Sequence, residues 1–192
     1  MAAKFSSSPP VRSSVAILPA AMAIRLLGPA DEEAYEAHLR RLSTHDRSLR
    51  FCGGDIPATS PLRRDTACLL IGAFVEETLR AVAELHLIPA ASRPTGEAAF
   101  SVEGGLQGRG IGRMLFTRTL ERARDLRLSR VVLICEARNA PMIHLAQEFG
   151  ARTSYEDGEV TGTIELPAQP ASENILRNVV MSIAHPRLAL AV

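Results

Sequence analysis

Cysteine is scarce: Cys52, Cys68 and Cys135 are an odd set, far apart, with no C-x-x-C spacing. That pattern supports neither a disulfide framework nor a zinc or other metal site, and free thiols indicate a cytoplasmic protein. Charge of one sign is missing as well. A formal net charge of +1 leaves no footprint for nucleic acid over the chain as a whole. Long apolar runs are also lacking: the stretch from Val15 to Ile24 is ten residues, broken by Pro19, and too short for a membrane span. Nor does the order of residues show an internal repeat, a cluster of metal ligands or a Ser-His-Asp triad.

Acidic residues are absent from positions 1–21, which are rich in Ser and Pro and carry Lys4 and Arg12. Such a composition resists folding, so residues 1–22 are expected to be a disordered leader rather than a cleaved signal, with Met22 as an alternative start. One folded domain is expected over 23–168. A C-terminal helical extension is expected over 169–192, where Ile175, Leu176, Val179, Val180 and Ile183 form an apolar stripe. That stripe either covers the sheet or joins two copies as a homodimer.

What is present centres on Gly104 to Phe116. Alternating apolar residues (Ala98, Phe100, Val102) lead into closely spaced glycines and then into a helix-period apolar face, so the stretch reads as strand, tight loop, helix start. Glycines admit a phosphate close to the backbone, and N-H groups at a helix N-terminus point at it with the positive end of the helix dipole behind them. A dinucleotide fingerprint starting at Gly108 fails at Arg113, and a Walker A loop fails because Gly110 is followed by Ile111. Of the arginines at and after the loop, Arg109 and Arg113 lie close enough to meet phosphates, and the rest read as a solvated helix face.

The surrounding elements alternate. A strand at Ala23–Leu27 precedes a helix from about Ala30 to Leu42 that buries Tyr35, Leu39 and Leu42. Ala67–Val75 and Leu79–Ile88 form a hairpin through Glu76-Glu77, and Gly96–Val102 is the strand entering the loop. After the loop helix, Arg130–Cys135 suits a buried parallel strand and Pro141–Phe149 a helix stopped by Gly150. A hairpin turning at Asp157-Gly158 closes the domain. The fold class is therefore α/β, with a mixed sheet of about seven strands flanked by helices.

Gln107-x-x-Gly110-x-Gly112 resembles the pyrophosphate loop (Q/R-x-x-G-x-G/A) of the GNAT superfamily of N-acetyltransferases. Asn139-Ala140-Pro141-Met142-Ile143-His144-Leu145, ending at Gly150, resembles the second pattern of that family, one strand further on. The stretch from Leu42 to Phe51 resembles the L-S-x-x-S-R-x-x-R-F segment of bacterial protein-lysine acetyltransferases, with Asp46 where serine is usual. The resemblance implies acetyl-CoA as acyl donor and a primary amine, protein lysine or small molecule, as acceptor. It implies that Gln107, Gly108, Arg109, Gly110, Ile111, Gly112 and Arg113 hold the pyrophosphate. It further implies that the backbone of Ser101 and Val102 pairs with the pantetheine arm, that Asn139 hydrogen-bonds it, and that the strands on either side of the loop helix splay to admit it. For Leu42 to Phe51 the alternative is an ordinary capped helix with exposed arginines.

A lysine-like amine is protonated at neutral pH, and exposing its lone pair costs about 4 to 5 kcal/mol from a pKa near 10.4, so a positioned base is needed. Glu97, in Gly96-Glu97-Ala98-Ala99, stands where the resemblance places the catalytic glutamate; its alternative role is a surface carboxylate at a strand end. Glu103 and Glu84 are the other candidates for the base; His86, alternating with Leu85 and Leu87, is either a proton relay or a structural strand histidine. The tyrosine that many GNAT enzymes use to protonate the leaving thiolate is replaced here by Ala146. The cost is tolerable, because a thiol of pKa near 8.5 leaves as thiolate at neutral pH for about 2 kcal/mol. A catalytically silent acyl-CoA sensor would keep the loop and Asn139 without a base, and is the alternative to the enzyme.

Overall fold

A computed structural model describes residues 22–54, 61–62, 67–89 and 91–167. Residues 1–21 of the expected leader and the C-terminal extension lie outside these residues, whereas Met22, the last residue assigned to the leader, is the first residue of a strand. In chain order the elements are β1 (Met22–Leu26), α1 (Glu32–Arg41), α2 (Thr44–Arg50), β2 (Cys68–Val75), β3 (Thr78–Ile88) and β4 (Thr95–Val102). They continue with α3 (Ile111–Asp125), β5 (Arg130–Glu136), α4 (Ala140–Glu148), β6 (Arg152–Glu156) and β7 (Glu159–Glu165). Among the described residues, no helix is long and apolar enough to cross a membrane.

The seven strands form one sheet in the order β1-β2-β3-β4-β5-β7-β6, and all neighbours are antiparallel except β4 and β5. Two of the hairpins use turns with two residues at positive φ: Glu76 and Glu77 (49° and 62°), and Asp157 and Gly158 (48° and 84°). The second is the Asp-Gly signal of the sequence; the first is formed by residues that do not favour that conformation.

Helices cover both faces. On one, Leu70, Phe74 and Val82 meet Tyr35, Leu39 and Leu42. On the other, Leu85, Ala98, Val131 and Leu133 meet Phe116, Leu120 and Ala123 of α3. Phe116 is fully buried between two rings, Phe100 of β4 at 4.8 Å and Phe149 at 4.5 Å, both nearly parallel to it. A buried phenylalanine contributes about 1.5–3 kcal/mol and each ring pair about 0.5–1.5 more, so this stack fixes α3 and α4 against the sheet. Gly96 is dictated by the same packing. A Cβ there would lie 2.7 Å from Leu85 Cδ1 and 2.8 Å from Leu128 Cδ1.

The one parallel contact is short. β4 pairs with β5 only at Thr95↔Arg130, Gly96↔Val131 and Glu97↔Val132. At that end the strands are fastened by Ser129 N-H to Pro94 O (2.7 Å) and Arg130 Nε to Thr95 Oγ1 (3.0 Å). Beyond it each strand keeps its other partner, β3 and β7 respectively, to the end of its length. The result is a wedge, closed at Glu97 and open towards Val102 and Glu136, in line with the splay expected from the sequence.

Candidate active site

The loop sits at the open end of the wedge. Gly108 and Gly110 have φ of +71° and +82°, and Gly110 caps α3 from the left-handed region. Among the described residues, the N-H groups from Gly108 to Arg113 have no protein acceptor. Such a row of free donors at the start of a fifteen-residue helix is an anion cradle. Packing does not demand glycine at 112: a Cβ there would make only ordinary contacts, with Leu145 Cδ2 at 3.6 Å and Val102 Cγ2 at 4.0 Å.

Three predicted loop residues have definite side-chain positions or partners. Gln107 donates from Nε2 to Val102 O (3.0 Å) and to Asp46 Oδ1 (2.9 Å), tying the loop to β4 and α2. Asp46 also accepts from Ser43 Oγ at 2.6 Å, so the residue that departs from the protein-lysine acetyltransferase pattern has its own task here. Arg109 is exposed beside the cradle, whereas Arg113 pairs with Glu148 of α4. Asn139 caps α4, its Oδ1 accepting from Met142 N-H at 3.2 Å, which leaves its amide NH2 to a ligand.

Glu97 marks the closed end. It belongs to the last rung joining β4 to β5, is half-buried, and shares a face of the sheet with Ser101, whose hydroxyl meets α1. It is the third residue of β4. The two other glutamates are committed elsewhere. Glu84, 3% exposed, accepts from Tyr35 Oη (2.9 Å) and Arg50 (2.5 Å) and meets His86 Nε2 at 2.9 Å. Burial works to raise its pKa, but the field of Arg50 and the hydrogen bonds from His86, Arg50 and Tyr35 more than offset this and hold it at about 2. Burial and the neighbouring carboxylate push the Tyr35 phenol far above its ordinary range. Glu103 is gripped by Arg41 Nε (2.9 Å), Arg80 Nε (2.8 Å) and His38 Nδ1 (3.1 Å).

Arg50 thus corrects one reading of the α2 segment. It is not an exposed arginine on a capped helix: its side chain is 12% exposed, directed at Glu84 and stacked on Phe51. From the same helix Ser48 Oγ accepts from Arg138, which follows β5. α2 therefore bridges the two splayed strands.

His38 was missed by the sequence reading, and with it a Ser-His-acid constellation. Its Nε2 lies 2.8 Å from Ser101 Oγ and its Nδ1 3.1 Å from Glu103 Oε1, so three residues up to 65 positions apart form a serine, histidine, carboxylate line. The signal was available: His38 falls on the apolar stripe Tyr35, Leu39, Leu42 of α1. Burial lowers the His38 pKa despite Glu103, so the ring is neutral, with Nδ1-H donating to Glu103 and Nε2 accepting from Ser101. The ring is fully buried, which suits a strut between α1 and β4 better than a nucleophile's base.

Cys68, Glu84 and His86 also converge, with ligand-type atoms within 4.8 Å of one another. The Arg50 guanidinium already occupies Glu84, and burial first, then Glu84, pushes the Cys68 thiol up to about 12, opposite to what a cation site needs. All three cysteines are free.

The chain matches the model of the acetyltransferase (GNAT) family over residues 26–151. Among solved structures, the GNAT domain of PAT from S. lividans superposes with a TM-score of 0.66 at 22% identity, covering 74% of this chain and 89% of that one. YncA of Salmonella typhimurium, solved with its cofactor acetyl-CoA, gives 0.62 at 19% identity, covering 81% and 99%. The PaiA N-acetyltransferase of Thermoplasma acidophilum, in complex with coenzyme A, gives 0.57 at 15% identity, covering 76% and 99%. Among curated proteins, none matches the sequence significantly.

Proposed function

We propose that the chain, which belongs to the acetyltransferase (GNAT) family, moves the acetyl group of acetyl-CoA directly onto a primary amine, with Glu97 as general base. The observation that carries this reading is the position of Glu97 at the closed end of a wedge whose open end holds the anion cradle. The donor's diphosphate fits the free N-H groups from Gly108 to Arg113. Its pantetheine arm fits the inner edge of β4, which lacks a strand partner on the β5 side beyond Glu97. Of the two residues expected to pair with the arm, Val102 turns its backbone groups to that side, whereas Ser101 turns its own to Val82 of β3. The amide of Asn139 faces the same arm from the start of α4.

With the phosphates beside Val102, the five residues from Val102 back to Glu97 span about 16 Å at 3.3 Å per residue, enough for the extended arm. The thioester then reaches Glu97 and not Ser101, which lies about 13 Å away along the strand. Glu97 takes a proton from the ammonium group; the free amine attacks the thioester carbon; the C-S bond breaks and CoA leaves as thiolate. Ala146 offers no proton donor to that thiolate, and its low basicity makes none necessary. The acceptor enters from the α2 face, past Val132 and the exposed Ile134 of β5. Protein lysine and small-molecule amine both fit this approach.

Calorimetry with acetyl-CoA and CoA-release assays over a panel of amines and lysine peptides test the proposal. Binding with turnover supports the enzyme. Binding without turnover makes the chain an acyl-CoA sensor, and no binding of any acyl-CoA overturns both.

A further inference from the structure

We propose that His86 is the relay that receives the proton from Glu97 and hands it to solvent, with Glu84 fixing its ring. This rests on the reading of Glu97 as base. His86 and Glu97 are direct partners across β3 and β4. Their side chains share the face that carries Tyr35 and Arg50, and opposite residues place their Cβ atoms about 4.5–5.5 Å apart. The two side chains are not in direct contact, and that spacing leaves room for one bridging water to carry the proton.

The ring is oriented. Its Nε2 is 2.9 Å from Glu84 Oε2 and 3.6 Å from Cys68 Sγ. Glu84 is already held by Arg50 and Tyr35 and only accepts, so the proton of the neutral imidazole sits on Nε2 and the lone pair on Nδ1. A base held by a carboxylate that itself stays ionised is the arrangement in which a histidine gains and loses protons without turning. Among the described residues Nδ1 has no protein partner, and the side chain is 40% exposed, so the ring can discharge to bulk water. The charged and titratable groups around it are Tyr35 from α1, Arg50 from α2, Cys68 from β2, Glu84 from its own strand and Glu97 from β4.

The protons balance. One proton passes from the ammonium nitrogen to the Glu97 carboxylate, then to His86 Nδ1, then to water. The second, released from nitrogen once the N-C bond has formed and the C-S bond has broken, goes to the CoA thiolate. Each cycle gives acetylated amine, CoA thiol and one solvent proton. His86 touches neither donor nor acceptor, so it is a positioning and relay residue.

The test is His86→Gln in the full chain. Glutamine still donates to Glu84 and preserves the packing, but carries no proton. With acetyl-CoA and the best acceptor from a panel of lysine peptides and polyamines, kcat should fall at least ~10-fold, part of what general-base catalysis supplies. Acetyl-CoA affinity should not change, and added imidazole should restore most of the rate because the position is open to solvent. Glu97→Gln should be slower still, by at least ~10²-fold, and should not respond to imidazole. A wild-type rate in His86→Gln beside a defective Glu97→Gln overturns the relay and leaves the base in place. A slow His86→Gln that imidazole does not rescue reduces the residue to a structural role. A wild-type Glu97→Gln, or no turnover with any amine, removes the base and the relay together.

Discussion

Glu97 and Val132 form the last rung between β4 and β5, and everything distinctive about the site follows from the ladder stopping there. Below this pair the strands are bonded and fastened by Arg130 and Thr95. Above it the inner edge of β4 is free for a ligand that behaves like a strand. On the proposed reading, the end of such a ligand arrives at the Glu97 carboxylate.

The anion cradle makes a separable prediction. Gly110 and Gly158 have nearly the same positive φ, 82° and 84°. Valine at either position should therefore cost at least about 1–2 kcal/mol of stability. Only Gly110→Val, which places a side chain beside the free N-H groups, should lose acetyl-CoA binding. Calorimetry and thermal melts on the two variants check this; equal affinities would remove the loop from the proposal.

Arg50 and Glu84 are a buried ion pair, so removing one partner strands the other. Arg50→Met should destabilise the domain by about 3–5 kcal/mol, and Arg50→Met with Glu84→Gln together by clearly less than the sum. Because the Glu84 carboxyl is held at about 2, its share of stability is complete above the unfolded value near 4.3 and is lost as pH falls towards about 2. Urea titrations between neutral and acid pH should show this loss in the wild type and little of it in the double variant.

His38 predicts a different pH window. Its folded pKa is lowered by burial, so the unfolded chain binds the extra proton first, and stability should be full above about pH 6.5 and fall as pH drops below it. His38→Gln should flatten that part of the stability curve.

Ser101→Ala separates strut from nucleophile. If the Ser101, His38, Glu103 line is structural, the variant keeps acetyl transfer within a few-fold, and the wild type shows no amine-independent acetyl-CoA hydrolysis. Loss of turnover with intact cofactor binding would instead make Ser101 the reacting group.

Much of this was legible in the chain. The glycine loop, the strand before it and the Asn139 to Gly150 helix are local patterns, set by backbone freedom at Gly108 and Gly110 and by a 3.6-residue stripe, and they appear where the periodicity put them. The polar lines across the sheet were not legible. Glu84 meets Tyr35, 49 positions away, and Arg50, 34 positions away. His38 meets Ser101 and Glu103 across 63 and 65. Such pairings depend on strand register, which fixes which side chains share a face but is set by the whole sheet. Arg50 could not be distinguished from a surface arginine, and for His38 the stripe of Tyr35, Leu39 and Leu42 signals burial but not the partners Ser101 and Glu103.

The most direct measurement is the pH-rate profile of Glu97→Gln with acetyl-CoA and a turned-over amine. The account predicts unchanged acetyl-CoA affinity, because backbone groups hold the donor. It also predicts a loss of at least ~10²-fold in kcat near neutral pH, which shrinks as pH rises towards the amine's own pKa and solvent takes over the deprotonation. A Glu97→Gln enzyme with the wild-type rate and profile would contradict it.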